Sequence, residues 1–575
     1  MKLYLRKKEF YMKKHCKPAI FITLTILAIF NLLCYFSIRA MWSGIIRYTF
    51  EAMPYLLLLG IIITALGSTI LVLHKRYPKG IAIICGLVDV LFLGLDAYII
   101  SLTTEATHYF IREFAYGLCF VGGLGLLIFL WFFVSKQPWF KKKWVTSLTL
   151  VVCFILGIII LFDISLTNGF SSTPVVYAVE DTYQIVFTTK AKGEAWITIG
   201  DIEFNDTFAG YRYTENTVHK ITVPMNVLDS AGEYTLHTRA MYLRGPYCSL
   251  QGKTLSQNHA WRGVDTSDGL NYYVLADTHN TQKTPLEAAT YFGDQLDFLI
   301  SAGDNVSWID READLLNFHT LAGNITKGEI PVIYARGNHE TKGVMANDFE
   351  RYVGSKNGNY YYTFRLQNIW GIVLDIGEDH GDNFVEYNGI SKFDNYRQEQ
   401  TLFLDNVLDN AYSEFDGQGV DYRIGICHIP LSIKNTDDYI ADIKDAWLER
   451  LNQMKLTIMY NGHQHELWFI DNNFESGSTL TNVEEFSGKS ENNNEYIMTN
   501  ATFPSILVSK RGESQSLLDK EKVFDNGFIG VAASVTDTET ILQYTNDHKE
   551  ILDDIRSPWF SEIIYGSEIR VSNVK

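Results

Sequence analysis

The sequence predicts an α/β domain preceded by a small β-sandwich and by an all-α region of five transmembrane helices. Three observations carry this reading. Five long apolar runs crowd the first 169 residues, short alternating runs fill 172–262, and from about residue 268 apolar strands alternate with helical patterns. At 575 residues the chain is too long for one domain, since a domain takes about 100–200 residues.

Charge divides the chain at the same place. Residues 1–169 hold 17 Lys and Arg against 7 Asp and Glu, and the remainder holds 32 against 59. The apolar part is basic and the rest is strongly acidic. An acidic surface argues against nucleic acid as a partner, because that affinity comes from Lys and Arg on phosphates. A small anionic substrate stays possible, since a bound metal inverts the local field.

The apolar runs cover 19–38, 53–73, 80–101, 116–135 and 145–166, each close to the ~20 residues that cross a bilayer. The first follows Lys2, Arg6, Lys7, Lys8, Lys13, Lys14 and Lys17. It is too long for a signal peptide and has no small-residue cleavage site, so it reads as a retained span. The N-terminal tail and the loops 74–79 and 136–144 share fourteen Lys and Arg, while the alternate loops hold only Arg39, Arg47 and Arg112. Basic loops stay inside. The N-terminus is therefore expected in the cytoplasm of a plasma-membrane protein, and everything after residue 166 outside. Asp89 and Asp96 fall in the third span on one helix face. They are expected to pair with polar groups of neighbouring spans, with an ion path or a lipid-headgroup contact as the alternative.

Five of the seven cysteines lie in the apolar region, leaving Cys248 and Cys427 as two expected free thiols. The runs Val175–Val179, Tyr183–Thr189, Glu194–Ile199, His219–Val223 and Glu233–Tyr242 alternate as the strands of a small antiparallel sandwich do. This is expected over 170–264 as a spacer or lid. Beyond it, runs at Tyr272, Phe298, Pro331, Ile372, Ile424 and Leu456 read as buried strands, with helices expected over 310–324, 396–411 and 441–454. Residues 473–495 read as a surface insertion.

Five short motifs follow these strands in order: Asp277-Thr278-His279, Gly303-Asp304, Gly337-Asn338-His339-Glu340, Cys427-His428 and Gly462-His463-Gln464-His465. Open α/β sheets bind ligands at such strand ends. The side chains suit two divalent or trivalent ions of Mn, Fe or Zn. A carboxylate can bridge two ions while offsetting their repulsion, and Asp304 is placed for it. Asp277 and His279 can reach one ion across a tight turn and His465 returns to it. Asn338, His428 and His463 complete the other. A hydroxide shared by the ions would attack a phosphate ester in line. His339, next to a ligand, is expected to face the substrate and assist the leaving group. Glu340 is expected to orient an imidazole or the backbone behind the ligands.

These motifs over 271–470 resemble the calcineurin-like metallophosphoesterase superfamily. The resemblance implies a four-layer α/β/β/α domain, here 265–575, and a dinuclear centre. In it Asp277, His279, Asp304 and His465 hold one metal, and Asp304, Asn338, His428 and His463 hold the other. His339 would be the catalytic histidine. The preceding sandwich, fibronectin-III-like, is similar in placement to that of the purple acid phosphatases. Two features depart from that group: Ser307 stands where it has Tyr, and it lacks the histidine supplied here by His279. A coloured, fixed ferric site is therefore not expected.

Arg336 is open between a phosphate contact and an outward-facing strand end. Glu378-Asp379-His380 is expected on the rim, either in the substrate pocket or as a solvated loop. Asn205, Asn305, Asn324 and Asn500 begin glycosylation sequons. The leading expectation is a membrane-anchored phosphohydrolase with a phosphate-ester substrate and the lipid bilayer as partners. Alternatives are a phosphodiesterase on a lipid headgroup, an envelope polymer or a cyclic nucleotide, and a non-catalytic ligand-binding receptor. The last would be expected to lack metal ligands, and none of the seven is missing.

Overall fold

The computed structural model describes residues 169–573, apart from 245–248, 267–268, 386, 388, 418, 436–437, 466, 472–478, 481–495, 509–526, 553–554 and 557–563. These residues fall in one compact unit, Phe162–Lys575. The five expected spans, with Asp89 and Asp96, lie outside the described residues, as do Cys248 and most of the 473–495 insertion. Among the described residues no helix is long and apolar enough to cross a membrane. Cys427 is a free, buried thiol.

The first strands are β1 (Val175–Val179), β2 (Thr182–Ile199), β3 (Asn216–Pro224) and β4 (Glu233–Arg244). Two runs that the sequence presents separately, at Tyr183 and Glu194, merge into the single strand β2. The irregularity between Thr188 and Gly193 marks where they join. The first half of β2 pairs with β1 and β3, and its second half pairs with β4. Helix α1 (Met225–Ala231) connects β3 to β4.

The α/β part then runs β5 (Leu270–Leu275), α2 (Lys283–Ala289), β6 (Phe298–Ser301), α3 (Glu312–Thr326) and β7 (Pro331–Tyr334). It continues through β8 (Tyr362–Leu366), β9 (Ile369–Leu374), α4 (Phe393–Asp409), β10 (Tyr422–Cys427), α5 (Ala441–Met454) and β11 (Ile458–Asn461). Last come β12 (Phe469–Ile470), β13 (Ser505–Leu507), β14 (Ile529–Val535), β15 (Glu539–Asn546) and β16 (Ile569–Ser572). The three helices expected from apolar spacing are α3, α4 and α5, each displaced by at most three residues at either end.

Two sheets result. The first, of 13 strands, includes the run β16-β15-β14-β5-β6-β7-β1-β2-β4 with β3 paired beside β2, and the second runs β8-β9-β10-β11-β13-β12. Strand β1 lies parallel to β7, with Val176 opposite Pro331, so the N-terminal strands are hydrogen-bonded into the same sheet as the α/β strands.

The period-two alternation of strand side chains sets the layers. On β10, Tyr422, Ile424 and Ile426 join the core shared with the first sheet, while Cys427 joins the core under the helices. Trp370, Ile372 and Leu374 of β9 likewise pack with Leu404 of α4 and Trp447 of α5. On the other side Ala288 of α2 and Leu315, Phe318 and Leu321 of α3 pack onto the first sheet. The order is helix, sheet, sheet, helix. Between the sheets the Tyr272 hydroxyl lies 2.7 Å from both the Tyr422 and Tyr460 hydroxyls, which satisfies three phenols in an otherwise apolar layer.

Candidate metal centre

Strands β5, β6, β7 and β11 each end just before one of the five motifs and β10 ends on the first residue of its own, and their loops are knitted together by backbone bonds. The Asp277 N–H donates to Gly303 O at 2.9 Å, His279 N–H to Asp304 O at 3.1 Å, and Gly462 N–H to His428 O at 2.9 Å. Asp277, His279, Asp304, His463 and His465 all adopt positive φ, between 40° and 74°. For residues with a Cβ that conformation costs about 1–3 kcal/mol each, and it persists where the surroundings force it. Here it turns five side chains inward from strand ends.

Glycine is required where two of these loops touch. A Cβ on Gly337 would sit 2.1 Å from Asp304 Oδ1 and 2.3 Å from its backbone nitrogen. The buried Glu340 carboxylate holds the same junction, accepting the backbone N–H groups of Asp304 (3.0 Å), Asn305 (2.6 Å) and Gly337 (2.9 Å). Of the two roles expected for Glu340, it takes the backbone one. Burial, reinforced by Asp304, pushes its carboxyl up to about 7 against the pull of those N–H groups.

Three sets of side chains converge, each with candidate ligand atoms within 4.8 Å of one another: Asp277 with His279 and His465, His279 with Asp304 and His339, and Asp304 with His428 and His463. Asp304 belongs to two of the sets, as a shared carboxylate must. Asn338 Oδ1 lies 3.3 Å from His463 Nδ1, which adds it to the third.

The donor chemistry fits a cation. The His428 Nδ1–H donates to the Ala302 carbonyl at 2.7 Å. Its Nε2 is buried without a hydrogen bond, 3.0 Å from Asp304 Oδ2. Either a proton or a metal ion must sit between two such groups. With a proton there, burial would lower the imidazole pKa, but the Asp304 carboxylate outweighs it and lifts His428 to about 10. Asp304 is held well below the usual carboxylate range, its burial overcome chiefly by His428.

His465 is raised in the same way, with Asp277 overcoming burial, its Nε2 3.4 Å from Asp277 Oδ1. His279 Nε2 lies 3.1 Å from His465 Nε2, and burial lowers His279 to about 4. Two imidazole nitrogens at that distance, one of them disinclined to hold a proton, are suited to share an ion.

Residues 270–467 match the family of calcineurin-like phosphoesterases. This segment of the chain is a calcineurin-like metallophosphoesterase domain. Among solved structures, a purple acid phosphatase, PPD1, from yellow lupin (Lupinus luteus) seeds is similar at 13% identity, over 67% of this chain and 74% of that one, with a TM-score of 0.41. The structure of PhoD aligns at 11% identity over 71% and 94%, with a TM-score of 0.37. GAP50, the anchor in the inner membrane complex of Plasmodium, aligns at 12% identity over 53% and 89%, with a TM-score of 0.32. No curated protein matches the chain.

Around the phosphoesterase centre, His339 Nδ1–H donates to the Ser307 carbonyl at 2.9 Å. Its Nε2 therefore faces the centre, 3.9 Å from Asp304 Oδ2. Ser307, where the purple acid group has Tyr, contributes its backbone here. Arg336 is not placed for a phosphate: its guanidinium pairs with the buried Asp375 at 2.7 Å and lies over the Tyr360 and Tyr396 rings. His380 stacks on Phe384 at 3.9 Å between centroids and borders a cavity of about 120 Å³ with Asp379, Lys434, Asp438, Tyr439 and His463. The sequence left the 378–380 run open between pocket and solvated loop. In the phosphoesterase domain Glu378 is buried, and Asp379 lies 3.5 Å from His463. Their position directly after an apolar strand was the available signal.

Proposed function

We propose that the chain is a membrane-anchored, outward-facing, metal-dependent phosphohydrolase. In this reading residues 1–169 form the five-helix anchor, 170–264 the fibronectin-III-like sandwich and 265–575 the catalytic domain. The N-terminus lies in the cytoplasm and the catalytic domain outside. One observation carries the catalytic part: the buried Asp304 carboxylate is shared between two sets of imidazoles and faces a buried His428 nitrogen that has no hydrogen bond.

Asp277, His279, Asp304 and His465 would hold one ion, and Asp304, Asn338, His428 and His463 the other, with Mn, Fe or Zn as the metal. When bound, the ions supply positive charge for the phosphate oxygens and lower the pKa of a coordinated water. The chain's own part is positional. Glu340 fixes the Asp304 loop, the strained turns aim the ligands, and Asp277 and Asp304 hold their charge in a site that excludes solvent from them. His339 presents Nε2, because its other nitrogen is committed to Ser307, and can hold a proton there toward the departing alkoxide.

The purified chain should hydrolyse an aryl phosphate monoester or diester only with added Mn, Zn or Fe, and Asp304→Asn should abolish this. Turnover that survives both a chelator and that substitution would refute the mechanism. A panel of monoesters, diesters and lipid phosphates then separates the phosphatase from the phosphodiesterase, because a shared fold leaves the substrate to its loops.

A further inference from the structure

Two neighbouring carboxylates, Glu378 and Asp379, touch the third set of candidate ligands, at Asn338 and His463. The Asn338 Nδ2 amide donates to Glu378 Oε1 at 3.1 Å and Oε2 at 3.3 Å. On the other side, His463 Nε2 lies 3.5 Å from Asp379 Oδ2. Between them, His463 Nδ1 and Asn338 Oδ1 face each other at 3.3 Å.

We infer that this dipeptide is a positioning device for one of the two metal subsites: Glu378 sets which way the Asn338 amide faces, and Asp379 sets which nitrogen of His463 carries the proton. The inference rests on the metal reading of the centre given above.

An ionised carboxylate accepts hydrogen bonds and cannot donate them, and an amide has one donating and one accepting end. Glu378 therefore takes the Asn338 NH₂ and leaves Oδ1 on the side of His463. A neutral imidazole has one N–H. Asp379, being charged, takes it more strongly than an amide oxygen does, so the proton stays on Nε2 and the Nδ1 lone pair is free. Two lone-pair donors, Nδ1 and Oδ1, then converge with no hydrogen between them. That arrangement is repulsive until a cation fills it. Metal-binding imidazoles usually have their second nitrogen held by a carboxylate or carbonyl, and His428 shows the carbonyl form of the same device through Ala302.

The dipeptide is itself fixed. Glu378 accepts from the Tyr387 hydroxyl at 2.5 Å and pairs with Lys342 at 3.2 Å. The buried Arg397 donates to the carbonyls of Ile376 (3.0 Å), Glu378 and His380 (3.1 Å), clamping the loop on both sides of the pair.

The test is calorimetric Mn titration of the purified full-length chain, with Co as a spectroscopic replacement. Wild type should take up two ions. Glu378→Ala and Asp379→Ala should each weaken the same ion by about 10–100-fold and leave the other unchanged, with an altered visible spectrum at one Co site only. Glu378→Gln and Asp379→Asn keep an acceptor and should recover part of the loss. They also carry the test if the alanine variants fail to fold. Folded variants with both affinities unchanged, or with both ions weakened alike, would overturn the inference. A wild-type chain that takes up no metal would instead overturn the reading of the centre on which it rests.

Discussion

The Glu340 carboxylate receives the backbone N–H of Asp304 at 3.0 Å, so a residue from one motif holds the backbone of another. Glu340→Ala would strand three buried N–H groups, each costing about 1–3 kcal/mol. Urea unfolding should show roughly 3–5 kcal/mol of lost stability, less than the simple sum because the loop can relax. Glu340→Gln should fall between. A stability change within error would show that these groups find other partners.

Gly337→Ala should abolish metal uptake, because its Cβ would lie 2.1 Å from Asp304 Oδ1 and force the carboxylate aside. The comparison is Gly358→Ala on the same protein, where a Cβ meets nothing within 4 Å although its positive φ adds some strain. Equal metal affinity in the two variants would contradict the close approach of the loops.

Arg336→Met would leave Asp375 buried without its cation, at about 3–5 kcal/mol. The expected signature is a lower unfolding midpoint with KM for a phosphate ester unchanged at temperatures where the variant is folded. A raised KM with normal stability would mean that Arg336 meets the substrate after all.

His319 of α3 is fully buried, lies 2.8 Å from the Ser172 hydroxyl, and burial lowers its pKa to about 4. The unfolded chain binds this proton at the ordinary value near 6.5. Between those values the unfolded state holds more protons, so stability rises with pH there and falls as pH drops from about 6.5 toward 4. The full loss is about 3 kcal/mol. His319→Gln cannot take up the proton, and melting curves across that window should fall less steeply with acid than those of wild type. Parallel curves would show that His319 is not the group responsible.

The topology proposal predicts that a reporter joined after residue 170 is active only outside the cytoplasm. Activity inside would mean an even number of spans.

The candidate metal motifs were legible because strand ends and ligand-type spacing coincide: Asp304, His428 and His463 each follow an apolar run that is recognisable by itself. The partners behind them were not. Asp375 and Glu378 lie some 40 residues from Arg336 and Asn338, and no spacing rule links the end of β9 to the loop after β7. Only the stacking of one sheet on the other does that. The place of β1 was hidden for a related reason. Five residues of strand read alike in any sheet, although its burial on both faces, in a run of Val, Val, Tyr, Ala and Val, is the texture of an interior parallel strand. The join within β2 was masked by the polar residues Lys190–Lys192, which look like a turn.

The position of β1 also bears on how the protein can be dissected. A fragment beginning at residue 265 would contain all five motifs, yet it would strip the neighbour from Pro331–Tyr334, four residues without exposure to solvent. Their open N–H and C=O groups would become a bare template for a second chain, the usual start of edge-to-edge aggregation. Cutting before Phe170 spares that seam, so the smallest well-behaved piece carrying the centre has to begin ahead of β1.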